Sequence, residues 1–291
     1  MSNPSLPFRQ GYFAGQGAVF LSAILWSTSG LFIKLVDWHP MVIAGSRSIL
    51  AALVLLVLRQ LLPGRKSKIT LKHIPVQAAC GLCYAATMIF FVIANKLTAS
   101  ANAIMLQYTA PVWAGLLGWI FLRERPRWEQ WCAIALVSLG MFFIFSGGLA
   151  GVSLLGDMLA IASGIAFGAN SVVLRAHRDG STTDIIFFSH IICALVSLPF
   201  FFLHPPLFTT HNILYILFMG IFQIGFASAL FAYGIRYISA VQAMLTTAIE
   251  PVLNPLWVLL AIGEVPAPSV IIGGAVIIAA VVSQSALRRR N

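Results

Sequence analysis

Ten long apolar segments occupy most of this 291-residue chain and constrain its fold more than any other feature. Each is bounded by charged residues, proline or glycine, and each is long enough to cross a hydrocarbon core about 30 Å thick. The segments cover residues 14–35, 40–62, 74–95, 98–122, 128–146, 153–174, 182–203, 211–233, 239–263 and 267–287. The connections between them are short, so any function has to be carried by the helices. We therefore predict an all-α polytopic membrane protein with ten transmembrane helices.

The charged residues support this class and predict its orientation. They make up 9% of the chain, whereas a water-soluble domain carries about 25%, which excludes that class. Fifteen of the 18 Lys and Arg residues fall on the same side of the predicted membrane as the N-terminus; Lys34 and Lys96 fall on the other side, and Arg47 lies within a span. Basic residues favour the cytoplasmic side. We expect a multi-pass protein of the cell (inner) membrane with both termini in the cytoplasm, whose net charge of +10 reflects topology and not nucleic-acid binding.

No motif for catalysis or metal binding falls within the predicted spans. The sequence has no HExxH, no GxSxG and no pair of acidic residues there. Cys80-x-x-Cys83 lacks the strand–helix context of a redox motif and the further ligands of a zinc site. We expect these cysteines to pack as ordinary small residues, and we expect no enzyme activity, no cofactor and no metal.

The second half of the chain repeats the first at an offset of 140 residues. The fourth and ninth spans align without a gap, and the spacing Pro-x12-Glu-x-Pro occurs in both. The aligned residues are Ala103, Pro111, Val112, Leu116, Glu124 and Pro126 with Ala243, Pro251, Val252, Leu256, Glu264 and Pro266. Five spans are an odd number, so the second half (150–291) has to be inverted relative to the first (1–149). Inverted repeats are typical of alternating-access transporters, whose sites lie near the midplane between the halves.

The motifs resemble the drug/metabolite transporter superfamily, EamA type. The resemblance rests on AILWSTSGLFIK in the first span, GSR in the second, and the pair APVWAGLLGWIFLRERP and EPVLNPLWVLLAIGEVP. It covers nearly the whole chain, and it is nearest to the amino-acid and metabolite exporter subgroup. The resemblance implies a central cavity lined mainly by the first, third, fourth, sixth, eighth and ninth spans, with the fifth and tenth more peripheral.

Two prolines and one carboxyl group mark the middle of the repeated spans. Pro111 and Pro251 free the carbonyls of Gln107 and Thr247, which predicts either static kinks or hinges beside the substrate path. Glu250 precedes Pro251, and a carboxyl at that depth has to be protonated, paired or hydrated. We expect it either to hold the ammonium group of a substrate or to carry a coupling proton; the alternative is a neutral carboxyl bonded to a freed carbonyl.

Two further titratable groups lie within spans. Arg47 could capture a carboxylate with two hydrogen bonds, or it could clamp helix-end carbonyls or extend outward along the helix. The resemblance favours the structural role, because the family carries an arginine in this motif regardless of substrate. His190 is the near-symmetric counterpart of Arg47. A proton role is conceivable for it, and a packed neutral histidine is the simpler interpretation.

Aromatic, amide and hydroxyl side chains at interior depths complete the predicted substrate site. With Glu250 they are Trp26, Tyr84, Tyr108, Asn170, Gln223 and Thr247. Aromatic rings with a few convergent polar groups suit an amphiphilic solute. The alternative for each is packing and interhelical hydrogen bonding.

These features favour a secondary transporter that exports amino acids, aromatic or other amphiphilic ones among them, and related metabolites by alternating access around a central cavity. Downhill export and proton antiport both stay open. The alternative is a multidrug efflux transporter for aromatic cations, which Glu250 and nearby aromatic rings would suit. A sugar-phosphate exchanger needs several basic residues in its cavity, and only Arg47 is available. The expected partners are a small-molecule substrate and the lipid bilayer; a monomer and a dimer both stay open.

Overall fold

The computed structural model describes residues 6–61, 74–98, 100–145, 153–178, 182–262 and 268–287. Within these ranges the chain is helical, and no strand occurs. The helices are α1 (Leu6–Trp26), α2 (Ser29–Leu35), α3 (Pro40–Leu61), α4 (Ile74–Leu97), α5 (Ser100–Gln107), α6 (Ala110–Leu122), α7 (Trp128–Phe145), α8 (Leu154–Ala176), α9 (Thr182–Leu203), α10 (Thr210–Phe218), α11 (Ala227–Gly234), α12 (Ala240–Thr247), α13 (Glu250–Ile262) and α14 (Pro268–Leu287). A π-helical segment, Met219–Phe226, joins α10 to α11.

The predicted fold class is confirmed. Seven stretches are long and apolar enough to cross a membrane, and they correspond to the first four and the sixth to eighth predicted spans. They are Gly11–Leu35, Pro40–Leu61, Gln77–Leu97, Asn102–Leu122, Leu154–Ala176, Thr182–Leu203 and Thr210–Gly234. Shorter apolar helices at Trp128–Ile144, Ala240–Leu253 and Pro268–Ser283 correspond to the other three predicted spans. The molecule is a polytopic membrane protein with two inverted repeats of five spans.

The repeat is visible in the helix boundaries themselves. α12 begins and ends 140 residues after α5, and α13 begins and ends 140 residues after α6. The fourth and ninth spans are therefore both broken, at Tyr108–Thr109 and at Ala248–Ile249. Glu264 and Pro266, the end of the repeated motif, lie outside the described residues.

The core packs the helices of one repeat against those of the other. α4 contacts α8 and α9, α3 contacts α9 and the π-helical segment, and α1 contacts α11. α7 packs mainly against α14, at the edge of the bundle, where a Cβ atom on Gly140 would lie 2.8 Å from the carbonyl oxygen of Gly273. Large side chains such as Phe121 and Phe202 are exposed. In a membrane protein such surfaces face lipid, which is as apolar as they are.

The two ends of the bundle are held by different contacts. We call the end formed by residues 123–127, 177–178 and 235–239 the arginine end, and the end formed by residues 36–39, 98 and 204–209 the lysine end. At the arginine end, Arg175 pairs with Glu124 (3.2 Å) and donates to the carbonyls of Ile235 and Arg236. At the lysine end, Lys34 donates to the carbonyl of Thr98 (3.0 Å). Lys34 and Arg175 are symmetric in sequence, and each binds the segment between the third and fourth spans of its own repeat.

A stacked histidine pair also joins the two repeats at the lysine end. The rings of His39 and His204 lie 4.2 Å apart and almost parallel, and the ring of Phe200 lies nearly parallel to both, 5.3 Å from His39 and 6.4 Å from His204. Burial lowers the pKa of His39 below its ordinary value of 6.5, and the positive charge of a protonated His204 lowers it further. Both causes favour the neutral imidazole, because burial and a like charge each disfavour protonation.

Candidate functional site

The two helix breaks lie where the two prolines predict a disturbance. Pro111 is the second residue of α6 and Pro251 is the second residue of α13. At the first turn of a helix the missing N–H group of proline costs little, because that N–H would lack a helical partner in any case. The sequence predicts a kink or a hinge at these prolines. The structure has two short helices in each span instead, with a two-residue gap between them.

Tyr108 and Glu250 meet across these breaks. The Tyr108 hydroxyl lies 2.6 Å from Oε2 of Glu250 and 2.7 Å from the backbone oxygen of Thr247. Glu250 is 6% exposed, and Tyr108 is equally buried. The carbonyl that Pro251 frees is thus bonded by a side chain from the other repeat.

The number of protons available for these hydrogen bonds indicates which protonation state of Glu250 suits the geometry. A tyrosine hydroxyl has one proton to donate, yet Tyr108 lies at hydrogen-bond distance from two acceptors. Both contacts are satisfied when Glu250 is protonated, since its carboxyl then donates to Tyr108 and Tyr108 donates to Thr247. An ionised Glu250 would compete with the Thr247 carbonyl for the same proton. The arrangement therefore matches a neutral Glu250 and would change when that group ionises.

A narrow crevice lies beside this cluster, and in this conformation it has no room for a water molecule. Its walls combine backbone and side chains of both broken spans with an aromatic ring of α8. The lining residues are Gln107, Tyr108, Ala110, Pro111, Phe167, Met244 and Thr247. Three predicted functional residues (Tyr108, Pro111 and Thr247) therefore border one space, and Glu250 is bonded to one of them.

Two glycines of α8 allow it to approach the first break closely. A Cβ atom on Gly164 would lie 2.7 Å from the Gln107 carbonyl oxygen, and one on Gly168 would lie 2.9 Å from the backbone of Ala110 and Ala114. Only glycine permits such backbone-to-backbone contact. The side chain of Gln107 donates to Ser163 (2.8 Å) and so fixes the break against the same face of α8.

A second polar group joins the repeats through Arg47. Its Nη2 donates to Oε1 of Gln223 (3.1 Å), and Nε2 of Gln223 donates to Thr28 (3.3 Å), at the gap between α1 and α2. Gln223 lies within the π-helical segment, a conformation that occurs frequently at functional sites. Arg47 is buried, and no helix-end carbonyl bonds to it among the described residues.

The other predicted polar residues are bonded within the core. Tyr84 lies 3.2 Å from Nε2 of His190 and 3.4 Å from Ser228. Asn170 accepts a hydrogen bond from the Cys80 thiol (3.1 Å). His190 is completely buried and touches Tyr84 edge to face. These contacts supply the interhelical bonding that we considered as the alternative to substrate binding, and substrate contact by these residues stays a prediction.

Trp26 packs between the core and an aromatic residue that lines the crevice. Its ring lies 5.7 Å from Phe167, which lines the crevice, and 5.2 Å from Phe231. The indole N–H has no hydrogen-bond partner among the described residues, although it is buried. An aromatic wall with an unused donor is the chemistry that an amphiphilic solute would contact.

Sequence reasoning did not identify some partners in these contacts. Thr28 and Ser228 are small hydroxyl residues, which are common in membrane helices, and their sequence context does not distinguish them. Phe167 and Phe231 are two of 21 phenylalanines. Only the offset of 140 could have pointed to Tyr108 and Glu250 as neighbours, since it aligns the two breaks.

Comparisons with known proteins place this architecture in a family. The model of the EamA-like transporter family matches residues 13–146 and again residues 154–285. A solved crystal structure with 20% sequence identity superposes with a TM-score of 0.80 over 97% of this chain and 98% of its own. At that identity the likeness shows the fold alone.

Two relatives are described as uncharacterized transporters. YwfM of Bacillus subtilis (strain 168) is 25% identical over 221 residues, which are 74% of this chain and 73% of that protein. A protein of Archaeoglobus fulgidus is 25% identical over 270 residues, which are 92% of this chain and 94% of its own length. The double match to one family model agrees with the repeat found in the sequence and in the helix boundaries.

Proposed function

The chain belongs to the EamA-like transporter family, and from this membership we propose that it exports amino acids and related amphiphilic metabolites by alternating access. The repeats 1–149 and 150–291 rock about the crevice between the broken spans, with Pro111 and Pro251 at the hinges. The strong bias of basic residues supports a cell-membrane location with both termini in the cytoplasm.

The observation that carries the proposal is the buried Glu250 carboxyl, bonded across the repeats to Tyr108, which lines the crevice. A neutral Glu250 satisfies Tyr108 and Thr247 and holds the two breaks together. An ionised Glu250 offers a negative charge to the ammonium group of a solute, and a buried charge of this kind requires a partner. Proton loss and ammonium binding are therefore linked, which supports exchange of a proton for an amine-bearing solute.

The aromatic surroundings favour one part of this substrate class. Phe167 lines the crevice, and Trp26 and Phe231 extend that wall. An apolar wall next to one carboxyl suits an amino acid with an aromatic or large aliphatic side chain better than a highly charged solute.

The same observations support a second candidate, an exporter of aromatic cations. A cation over aromatic faces and beside a carboxylate is well stabilised in a desolvated site. The two candidates differ in the carboxylate of the solute, which an amino acid carries and a drug cation lacks.

Counterflow with purified protein in liposomes tests the proposal. Vesicles loaded with unlabelled amino acid are diluted into labelled L-phenylalanine, L-leucine, L-glutamate or an aromatic cation. We expect saturable exchange of phenylalanine and leucine and weak exchange of glutamate. Because each solute molecule that leaves is exchanged for a proton that enters, we also expect the lumen to acidify as the loaded amino acid leaves. Exchange no faster than in protein-free vesicles would contradict amino-acid export, and exchange of the cation alone would establish the second candidate.

A further inference from the structure

Arg47 is a buried cation that forms no ion pair with any carboxylate among the described residues. Its exposed fraction is 3%, and Nε and Nη1 have no hydrogen-bond partner among the described residues. No carboxylate lies within 4 Å of the guanidinium in the part of the chain that the structure describes. Glu250 interacts with it electrostatically but is bonded to Tyr108, in the arrangement that suits a neutral carboxyl. A guanidinium stays charged in proteins, so its burial is costly until an anion joins it.

Other unused polar groups lie on the same pair of helices. Ser48 follows Arg47 in α3, and α9 contributes His190 and Ser197. Nδ1 of His190 has no partner among the described residues, and the two serine hydroxyls make no well-formed hydrogen bond there; both hydroxyls lie next to the buried Cys193 thiol, which is only a weak partner. α9 approaches α3 closely here, since a Cβ atom on Gly45 would lie 2.7 Å from Cβ of Ser197. We call Arg47, Ser48, His190 and Ser197 the Arg47 cluster. Buried polar atoms are almost always bonded, so several unused ones on one helix pair indicate a missing partner.

The π-helical segment gives the cluster a fixed wall. Gly220 and Gly225 flank Gln223 in this segment and lie against Leu50 and Val54 of α3; a Cβ atom on Gly220 would lie 2.5 Å from Cβ of Leu50. This contact holds Gln223 where its carbonyl accepts from Nη2 of Arg47. Gln223 is neutral, so it orients the guanidinium and leaves its charge uncompensated.

We propose that the Arg47 cluster is an anion subsite that binds the carboxylate of the transported solute. Nη2 has two N–H groups and gives one of them to Gln223. Its other N–H pairs with an unused N–H of Nε or Nη1 to form a fork that takes a carboxylate with two parallel hydrogen bonds, and the two serine hydroxyls supply further donors. The inference rests on the proposed function, because the solute reaches this depth only when the repeats part. It makes the protein selective for zwitterionic solutes, with the ammonium group at Glu250 and the carboxylate at Arg47.

Three phenyl compounds of similar size separate the two charges of the solute. L-Phenylalanine has both groups, L-phenylalaninamide keeps only the ammonium, and 3-phenylpropionate keeps only the carboxylate. Binding is measured on the purified full chain as the ligand-dependent rise in melting temperature, which follows from binding to the folded state alone. We expect phenylalanine to bind at least about tenfold more tightly than its amide, and phenylpropionate to bind detectably.

Arg47→Gln removes the charge and the fork. We expect it to weaken phenylalanine binding by about 100-fold and to leave the affinity for the amide within about twofold. Arg59→Gln is the matched control: Arg59 lies in the same helix and pairs with Asp184 at 3.0 Å, and we expect that variant to keep the preference for the carboxylate. Equal loss for phenylalanine and its amide in Arg47→Gln would overturn the proposal.

Gln223→Glu tests the subsite without removing Arg47, in case Arg47→Gln does not fold. The new carboxylate would lie where the Gln223 carbonyl now accepts from Nη2, and it would neutralise the guanidinium from within the protein. We expect the ligand-free protein to melt at a higher temperature and phenylalanine to bind at least about tenfold more weakly, with the amide unaffected. Unchanged binding of phenylalanine in this variant would also overturn the proposal.

The same data separate failure of the subsite from failure of the proposed function. If the amide binds as well as phenylalanine and both depend on Glu250, the anion subsite is wrong and a site for amines stands. If none of the three compounds binds, both proposals are wrong. If phenylpropionate and phenylalanine both depend on Arg47 but Glu250→Gln has no effect, the subsite is supported and the ammonium role of Glu250 is wrong.

Discussion

The broken helices of the two repeats have the same backbone and different chemistry. Both spans break two residues before the start of their second helix, and both carry proline at the second position of that helix. In the first break, position 108 is tyrosine and position 110 is alanine. At the corresponding positions of the second break, 248 is alanine and 250 is glutamate. Each repeat therefore supplies one half of the hydrogen-bonded pair. The repeat accounts for the two matching helix breaks, and the difference between the repeats at two positions accounts for the hydrogen-bonded pair.

The helices that support the breaks differ as well. α8 approaches the first break through Gly164 and Gly168, backbone against backbone. At the offset of 141 residues that separates Lys34 from Arg175, the corresponding residues are Ala23 in α1 and Ser27, just after its end. The Ser27 hydroxyl accepts a hydrogen bond from the Trp257 indole (2.7 Å), and α1 ends at Trp26, whereas α8 continues unbroken. The first break is thus held by close backbone packing together with the Gln107–Ser163 hydrogen bond, whereas the Ser27–Trp257 contact beside the second break is a side-chain hydrogen bond alone. From this difference we expect the second break to change more than the first if the repeats move.

Glu250→Gln removes the charge that distinguishes the second break and has the largest expected effect. The amide keeps the size of the carboxyl and can donate to Tyr108, so the fold is retained. We expect counterflow of amino acids to fall by about 100-fold with little change in melting temperature, because the variant lacks the carboxylate that we propose binds the ammonium group of the solute. The control is Glu129→Gln in the first turn of α7, which should exchange at the normal rate. Normal exchange and normal pH dependence in Glu250→Gln would remove the proposed role of that carboxyl.

Tyr108→Phe removes the hydroxyl that the first break contributes to the hydrogen-bonded pair, and it should lower the stability of the protein. It leaves the Thr247 carbonyl and the Glu250 carboxyl without their shared partner, and each buried group left unbonded costs about 1–3 kcal/mol. We expect a melting temperature several degrees lower in detergent, measured by thermal unfolding. Tyr215→Phe, at a ring that packs on Phe32, serves as the control. A Tyr108→Phe protein as stable as the original would mean that the bridge contributes no stability.

Gly168→Ala tests whether close packing holds the first break. The added methyl group would meet the backbone of Ala110 and Ala114 at 2.9 Å, and overpacking of this kind costs about 1–3 kcal/mol. Gly17→Ala in α1 is the matched control, because nothing lies within 4 Å of its Cβ position; there the better helix propensity of alanine should stabilise slightly. If both variants melted alike, the proposed difference in support between the breaks would be lost.

The sequence predicts where the two spans are disturbed better than it predicts the contacts formed there. The spacing Pro-x12-Glu-x-Pro predicts the alignment of α5–α6 with α12–α13 to the residue, because the proline position fixes where a helix can restart. It does not distinguish a kink from a full break. That outcome depends on the neighbours of the freed carbonyls: Tyr108 bonds the Thr247 carbonyl at one break, and the glycine face of α8 packs against the Gln107 carbonyl at the other.

For the candidate site too, the sequence identifies the residues but not their contacts. Tyr108, Thr247 and Glu250 are each identifiable from sequence as polar groups at interior depth, but their mutual bonding needs the tertiary fold. The π-helical segment has no signal in MGIFQIGF, whose apolar residues suit any buried helix. The missing partner of Arg47 is invisible from sequence as well, since a list of charges does not say which of them remain unpaired.

The smallest expected effect concerns the histidine stack that joins the repeats at the lysine end. Because the pKa of His39 is lowered in the folded protein, the unfolded chain binds more protons once the pH falls below about 6.5, and acidification then favours unfolding. His204→Gln removes the positive charge that adds to this effect. Between pH 7.5 and 5.5 we expect the original protein to lose about 1–2 °C more in melting temperature than the variant. An equal loss in both would show that the two rings are not coupled electrostatically. In that case the hydrogen bond between Tyr108 and Glu250 would be the remaining contact between the repeats at which we expect protonation to matter.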